Sequence, residues 1–509
     1  MEKFLLDYDW TVLAPELTIA GAAALLSIID LVLKPNRGRH ILAWMALAAV
    51  AAAGYFTAIR LGAPPYEILA DTYRVDDFAR AFKLILLTGT GLVFLISFRE
   101  FREEKGFAQG EYYYLLLTAL LGGMVMTSSA DLITLFVGLE LLSISSYILA
   151  GIRRRHGESS EAAWKYVVMG GVSSAFILYG MSFLYGLAGS TNLFTLRERL
   201  AEAYNNGYES FILLSFFCML LGFGFKVASA PFHMWAPDVY QGSPTPVAAF
   251  LAVVSKSAAF AFILRIFLIA FLFLYQVGPG KETVGWGLWI VASLSMVIGN
   301  SVALKQLRTK RLLAYSSVAH GGYLLVPLAA LGPTLFESTL YYLLAYLFMT
   351  LGAFTVVMVV ERESGKGDLS AFAGLSRRSP FAAAGMALFL VSLAGIPVTA
   401  GFFGKFYILI NTVTSGSADN PGPYWLAAIM LGTTVVSYFY YFGIIRMMYF
   451  RPPQMEGKLR VSVGPAWVIG IAVLGTLALG FMPQWVLDFL GTLDWVSAIS
   501  PLKQGPVGQ

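Results

Sequence analysis

Long apolar runs decide what this chain can fold into. FILLSFFCMLLGFGF and AAFAFILRIFLIAFLFLY belong to stretches of membrane-spanning length, because a hydrocarbon core of about 30 Å takes roughly 20 residues as α-helix. Such stretches recur near 11–33, 40–62, 77–98, 111–129, 131–152, 162–188, 209–231, 244–274, 284–303, 311–331, 334–360, 381–411, 424–450 and 464–486. Hydrocarbon supplies no water to the backbone, so each crossing must satisfy its own N–H and C=O groups as helix. The pattern predicts an all-α polytopic membrane protein with about fourteen transmembrane helices. Composition agrees: of 509 residues, 58% are hydrophobic and 13% charged, about half the charge of a soluble domain.

Loop charge predicts the orientation. KPNRGR, REFREEK, RRRHGESSE, KQLRTKR, ERESGKGDLSAFAGLSRR and RPPQMEGKLR follow spans one, three, five, nine, eleven and thirteen, whereas SSAD, GPT and SGSADNPGP are short or poor in Lys and Arg. Basic loops resist translocation, so this alternation places them in the cytoplasm and both termini outside. PFHMWAPDVYQGSPTP, after span seven, breaks the rule by carrying neither Lys nor Arg. The net charge of +5 follows from the same bias and calls for no nucleic-acid partner. The N-terminus has acids ahead of its apolar segment and no small-residue cleavage pattern, so the first span is expected to be retained. A lone cysteine, Cys218, excludes a disulfide framework, a four-thiolate iron–sulfur cluster and a CxxC metal site within the chain.

Two segments carry helix breakers at membrane depth, GFGFKVASAPFHMWAPDVYQGSPTP and SLAGIPVTAGFFGKFY. Backbone freed by Pro or Gly is tolerated there only where it is buried in protein or lines a wet cavity. Interrupted helices in both halves of a chain are the pattern of an inverted-repeat transporter, although Gly and Pro are also commoner in membrane helices generally.

Each break lies beside a lysine. Lys226 sits among Gly222, Gly224, Ala228 and Ala230, and Lys405 follows the second break, toward the predicted outer end of its span. Lys256 lies twelve residues into span eight, too deep for comfortable snorkelling. His320 shares a helix face with Ser316, and Glu140 shares one with Ser143 and Tyr147. Glu140 follows Asp131 by nine residues, which at 1.5 Å per residue puts it near the midplane. Its stripe should face protein, since an acid facing lipid costs about 3 kcal/mol even on a lenient scale. Glu140 and Lys226 can be read as an ion pair that only fixes packing, and His320 as a core histidine. One acid does not account for three amines, however. Where buried amines outnumber acids, desolvation and mutual repulsion ease the release of a proton from any one of them. Proton translocation follows as an expectation, with Glu140 as the switch beside Lys226. Arg265 either joins this set or reaches an interface.

No redox chemistry is legible. GFGFKV is not GxGxxG, no P-loop follows a strand, and of the four histidines, His40, His156, His233 and His320, the first two fall near loops, so a membrane haem held by paired histidines is not expected. No His/Asp/Glu cluster has metal-ligand spacing.

ADLITLFVGLELLSISSYILAG, EAAWKYVVMGGVSSAFILYGMSFLYGLAGSTNL, GFGFKVASAPFHMWAPDVYQGSPTPVAAFLAVVSKSAAF, LLAYSSVAHGGYLL and SLAGIPVTAGFFGKFY resemble the subunit N family of proton-pumping NADH:quinone oxidoreductase, respiratory complex I. Plastid and mitochondrial counterparts are also similar. The resemblance covers nearly the whole chain. It implies two inverted five-helix repeats with discontinuous helices seven and twelve, related to cation/proton antiporters. The division it suggests is an N-terminal three-helix region over 1–110, repeats over 111–274 and 284–450, and a C-terminal helix and tail over 464–509.

The family's proton-translocating residues fall on Glu140, Lys226, Lys256 and Lys405, with His320 on the central polar axis. The resemblance implies that protons enter near Lys226, pass Lys256 and His320, and leave by Lys405. It implies no cofactor in this chain, with NADH, FMN, iron–sulfur clusters and quinone held by other subunits. The partners it implies are other membrane subunits of the complex, in a bacterial plasma membrane or, alternatively, a thylakoid. A component of a Na⁺/proton antiporter and a passive scaffold remain open at this stage.

Overall fold

The computed structural model describes residues 8–33, 40–100, 109–275, 278–417, 420–455 and 457–501. The first basic loop, most of the second and the end of the C-terminal tail lie outside the described residues.

The chain opens with α1 (Ala14–Val32) and α2 (His40–Ala58), then a hairpin of β1 (Tyr66–Ile68) and β2 (Tyr73–Val75), paired antiparallel with Tyr66 opposite Val75. There follow α3 (Asp77–Glu100), α4 (Gln109–Ser128), α5 (Leu132–Ala150), α6 (Gly157–Ala188), α7 (Leu193–Ala203), α8 (Glu209–Lys226) and α9 (Trp235–Gly242). Next are α10 (Thr245–Phe250), α11 (Lys256–Ile269), α12 (Gly278–Ala303), α13 (Thr309–Ala330), α14 (Leu335–Ser364) and the single turn α15 (Leu375–Arg378). The chain closes with α16 (Pro380–Ala394), α17 (Ala400–Ser415), α18 (Gly422–Phe450), α19 (Val463–Phe481), α20 (Pro483–Gly491) and α21 (Val496–Ile499).

Of the fourteen expected spans, twelve correspond to helices long and apolar enough to cross a membrane. The stretch at 111–129 is the helix α4, in which polar residues dilute the apolar ones, and the stretch at 381–411 is two short helices, α16 and α17. The hairpin, the amphipathic α7 and the short C-terminal helices were not anticipated, being too short to leave an apolar run.

Local chemistry sets many helix ends. Asp131 caps α5 by accepting from the N–H groups of Ile133 and Thr134 at 2.8 and 3.1 Å. Asn192 does the same for α7, accepting from Phe194 and Thr195. α6 and α14 end on glycines in the left-handed conformation, Gly189 and Gly365.

The Thr245–Ile269 helix is buried except at Ser255, which is partly buried, and α13 and α14 are mostly buried. Around them α1, α2, α6, α18 and α19 present Leu, Ile, Val, Phe and Trp side chains outward, as lipid-facing helices should. Lipid is as apolar as leucine, so close backbone contact takes over from the hydrophobic effect in holding helices together. Gly122 of α4 and Gly138 of α5 show it, since a Cβ on Gly122 would lie 2.6 Å from the Gly138 carbonyl oxygen.

The basic loops meet on one face. Arg308, after span nine, pairs with Glu158, after span five, at 3.1 Å. Arg378 pairs with Glu363 at 2.5 Å and donates to the Gly457 carbonyl in the loop after span thirteen at 3.3 Å. The segment without Lys or Arg explains itself here: its Asp238 takes Lys165 at 2.6 Å and also Arg311. Burial would raise that carboxyl, but the two cations hold it below the usual carboxylate range. Lys-poor connections meet at the opposite face, where Asp131 bridges to Asn192 and Ser129 to Tyr73.

Arg265 does not join the polar axis; it reaches the Lys-poor face, where Asp76 precedes α3 and Thr127 lies at the end of α4. It is buried, its two terminal nitrogens bind the Asp76 carboxylate at 2.6 and 2.7 Å, and its Nε donates to the Thr127 carbonyl at 3.0 Å. A second buried pair, Lys83 with Glu16 at 2.6 Å, is completed by Tyr73, which donates to the same carboxylate at 2.9 Å. Neither pair was singled out in sequence, since Asp76 and Glu16 sit close to predicted span ends.

Candidate functional site

Two helix breaks organise the polar interior. α8 stops at Lys226, and the chain turns through residues 227–234 before α9. Its end is covered from within: the Trp235 indole donates to the Phe225 carbonyl at 2.8 Å and the Ser229 N–H to the Gly224 carbonyl. The second break separates α16 from α17 over residues 395–399, starting at Gly395 with φ of 82°, a conformation that favours glycine.

At the first break, Lys226 donates to the Ser143 hydroxyl at 2.7 Å, and Tyr147 lies one turn further along α5, its hydroxyl 3.5 Å away. Glu140 is not in direct ion pairing with Lys226. It accepts from Ser174 of α6 at 2.5 Å and stands one helical turn before Ser143. Here the expectation that the Glu140 stripe faces protein is corrected in part. Ser143 and Tyr147 are buried, but Glu140 is only half-buried, beside a lateral row of exposed Ile133, Val137, Ile144 and Ile148. α5 is an outer helix, and its acid sits where the inward and outward faces meet.

Lys256 is 2% exposed and follows a π-helical turn at Leu251–Ser255. Its amine binds both the carbonyl and the hydroxyl of Ser317, the latter at 2.5 Å, and lies 5.7 Å from the centre of the Tyr346 ring. Gly321 of α13 packs between this amine and the first break: a Cβ there would come 3.2 Å from the Val227 carbonyl oxygen and 3.6 Å from Lys256 Nζ. Gly321→Val should therefore cost about 1–3 kcal/mol by overpacking and push the Lys256 amine off Ser317. The thermal midpoint of the purified protein should fall for Gly321→Val and much less for Gly321→Ala.

His320 is held between two tyrosines. Its Nδ1 is 2.5 Å from the Tyr342 hydroxyl and its Nε2 is 3.2 Å from that of Tyr441, which also bonds Ser316 at 2.5 Å. Lys405 completes the set. Its Nζ donates to the carbonyls of Leu393 and Ala394 at 3.0 and 3.2 Å, the orphan acceptors at the end of α16, and lies 4.9 Å from the Tyr323 ring centre. The sequence placed Lys405 toward the outer end of its span; the structure puts its amine back at the break, because helical side chains lean toward the N-terminus of their own helix.

The predicted residues thus come together in one file. Ser143 links α5 to Lys226, Gly321 links the first break to Lys256, and α13 carries Ser317, His320 and Tyr323 from Lys256 to Lys405. Sequence reasoning missed Ser174, Ser317 and the tyrosines at 323, 342, 346 and 441. The pairs Tyr342/Tyr346 and Tyr323/His320 at helical spacing were the available signal, hidden among 26 tyrosines. On the face where the basic loops meet, a cleft of about 660 Å³ is bounded by Arg153, Glu158, Arg308, Lys310 and Glu361. Glu361 at its edge accepts from Thr245, the first residue of the helix that leads to Lys256, at 2.9 Å.

Residues 129–437 match the family described as NADH:quinone oxidoreductase/Mrp antiporter, TM, a range that contains all five predicted residues. NADH-quinone oxidoreductase subunit N of Brevibacillus brevis is 46% identical over 99% of this chain and 99% of its own length. The protein of the same name from a Geobacillus species is 48% identical over 96% of this chain and 99% of its own. Among solved structures, a chain of respiratory complex I from Thermus thermophilus is 32% identical, with a TM-score of 0.77 over 93% of this chain and 98% of that one. A chain of the Mrp complex from Dietzia shares the fold, with a TM-score of 0.76 over 95% of this chain and 97% of that one at 20% identity. A polar file between two broken helices, an ordered match across the antiporter-like core and end-to-end similarity to these relatives lead to one assignment: the chain belongs to the NADH:quinone oxidoreductase/Mrp antiporter transmembrane family, in its subunit N branch.

Proposed function

We propose that this chain is a non-redox, proton-translocating membrane subunit of an NADH:quinone oxidoreductase. Glu140, Lys226, Lys256, His320 and Lys405 carry the protons, and NADH, FMN, iron–sulfur clusters and quinone are held by other subunits. The observation that supports it most is the file itself: two buried amines, a half-buried one and an imidazole in succession, Lys226, Lys256 and His320 bonded to hydroxyls and Lys405 to carbonyls, with one acid at its end. Ser, Tyr and His side chains both donate and accept, so such a file can pass a proton when water or a side-chain rotation closes its gaps. Lys405 held by carbonyls at a half-helix end uses the same dipole that coordinates cations in broken-helix transporters.

The two inverted repeats are part of this proposal. Glycine contacts bring α4 against α5, and likewise α12 against α13, where a Cβ on Gly322 would lie 2.8 Å from the Ala292 carbonyl oxygen. In that correspondence Glu140 of α5 answers to His320 of α13, and Lys226 at one break to Lys405 at the other.

Lys226→Ala and Lys405→Ala, each made in the whole complex, should lower proton pumping into membrane vesicles by about tenfold or more, equivalent to at least ~1.4 kcal/mol on the barrier. Unchanged pumping by both, at normal assembly levels, would favour the passive scaffold. Pumping that requires sodium would favour the antiporter component.

A further inference from the structure

A second charged site lies away from the proton file, where the end of α14 meets the start of α19. A cleft of about 460 Å³ there has Met358, Val359 and Pro465 as its apolar wall and Arg362, Lys458 and Arg460 around its mouth. Glu363 also borders it, but that carboxylate is bound by Arg378 at 2.5 Å, so its charge is already met beside Lys458 and Arg460. The depth is that of a membrane surface. α14 ends at Ser364 and α19 begins at Val463, both on the face where the basic loops meet, and Trp467, four residues into α19, is 65% exposed. Exposed tryptophan in the first turns of a membrane helix marks the headgroup level.

From this geometry we infer that the cleft is a binding site for the phosphodiester headgroup of an anionic phospholipid. Lys458 and Arg460 engage the phosphate, and the first part of an acyl chain lies along the wall of Met358, Val359 and Pro465. A soluble phosphate would satisfy the cations alone. A lipid satisfies the cations and the apolar wall together, which is why the lipid is the occupant favoured here. The site requires no step of the proposed proton file.

Each Lys or Arg near an anionic leaflet contributes roughly a fivefold gain in binding, so removing two should weaken retention by about 25-fold. The test uses the intact complex carrying Lys458→Gln and Arg460→Gln together, reconstituted in phosphatidylcholine vesicles with and without phosphatidylglycerol. Phosphatidylglycerol retained through detergent washing is then counted by mass spectrometry. Wild type should retain more of it than the double variant, and millimolar glycerol 1-phosphate should not displace it. Equal retention by wild type and double variant would overturn the site. Displacement by glycerol 1-phosphate would overturn its assignment to a lipid.

Discussion

Glu140→Gln in the whole complex is expected to lower proton pumping and NADH-driven quinone reduction together by about tenfold, with assembly near normal. The amide keeps the shape of the side chain and a partner for the Ser174 hydroxyl, but it cannot alternate between charged and neutral forms. Glu140 lies one turn from the hydroxyl that binds Lys226, so its charge is the nearest acidic influence on that amine across a low-dielectric gap. A tenfold loss corresponds to about 1.4 kcal/mol, modest for a charge removed from such a site. Both activities should fall because a coupled machine that cannot release its proton also stalls its electrons. Measurement of pumping and NADH oxidation in the same vesicles decides the matter. Full pumping at full assembly would remove Glu140 from its role as the switch.

Asp76→Ala should act on stability instead, and strongly. Asp76 is buried and holds Arg265 through two hydrogen bonds, while Arg74 Nε lies 3.5 Å away. Both arginines also fasten the C-terminal segment, Arg265 through the Ala498 carbonyl at 3.2 Å and Arg74 through Ser497 and, at 2.8 Å, Ser500. Without the carboxylate, two guanidiniums remain buried near each other. Breaking a buried pair from one side costs about 3–5 kcal/mol, a large part of the 5–15 kcal/mol that typically separates folded from unfolded states. The expected result is a steep fall in assembled complex and in its thermal midpoint. Asp76→Leu combined with Arg265→Met should recover much of the loss, because a packed apolar pair escapes the desolvation cost.

Acid should weaken the same clamp. Burial alone would raise the Asp76 carboxyl, but Arg265 and Arg74 leave it below its ordinary value. A depressed carboxyl contributes stability that is present above its unfolded value and lost as pH falls through its folded one. Wild type should therefore lose more stability on acidification than the Asp76→Leu, Arg265→Met double variant.

The spans, the basic loops and four of the five proposed groups were legible because a membrane penalises each departure from apolar sequence. A lysine at Lys226 or Lys256 stands out against its neighbours without any knowledge of contacts, and Pro and Gly mark both breaks. His320 was weaker, since a histidine in a helix is often only packing. Its meaning came from Tyr342 and Tyr441, which lie on other helices.

What the sequence determined by itself is the all-α membrane architecture, the alternation of its loops and the presence of surplus amines at depth, since these depend on transfer costs paid residue by residue. Only the tertiary structure decided which groups touch: that Lys226 meets Ser143 rather than Glu140, that Lys405 turns back to the end of α16, and that Arg265 clamps Asp76 and the C-terminal segment. Those outcomes depend on directed hydrogen bonds between helices far apart in the chain, and hydropathy along a chain carries no information about direction.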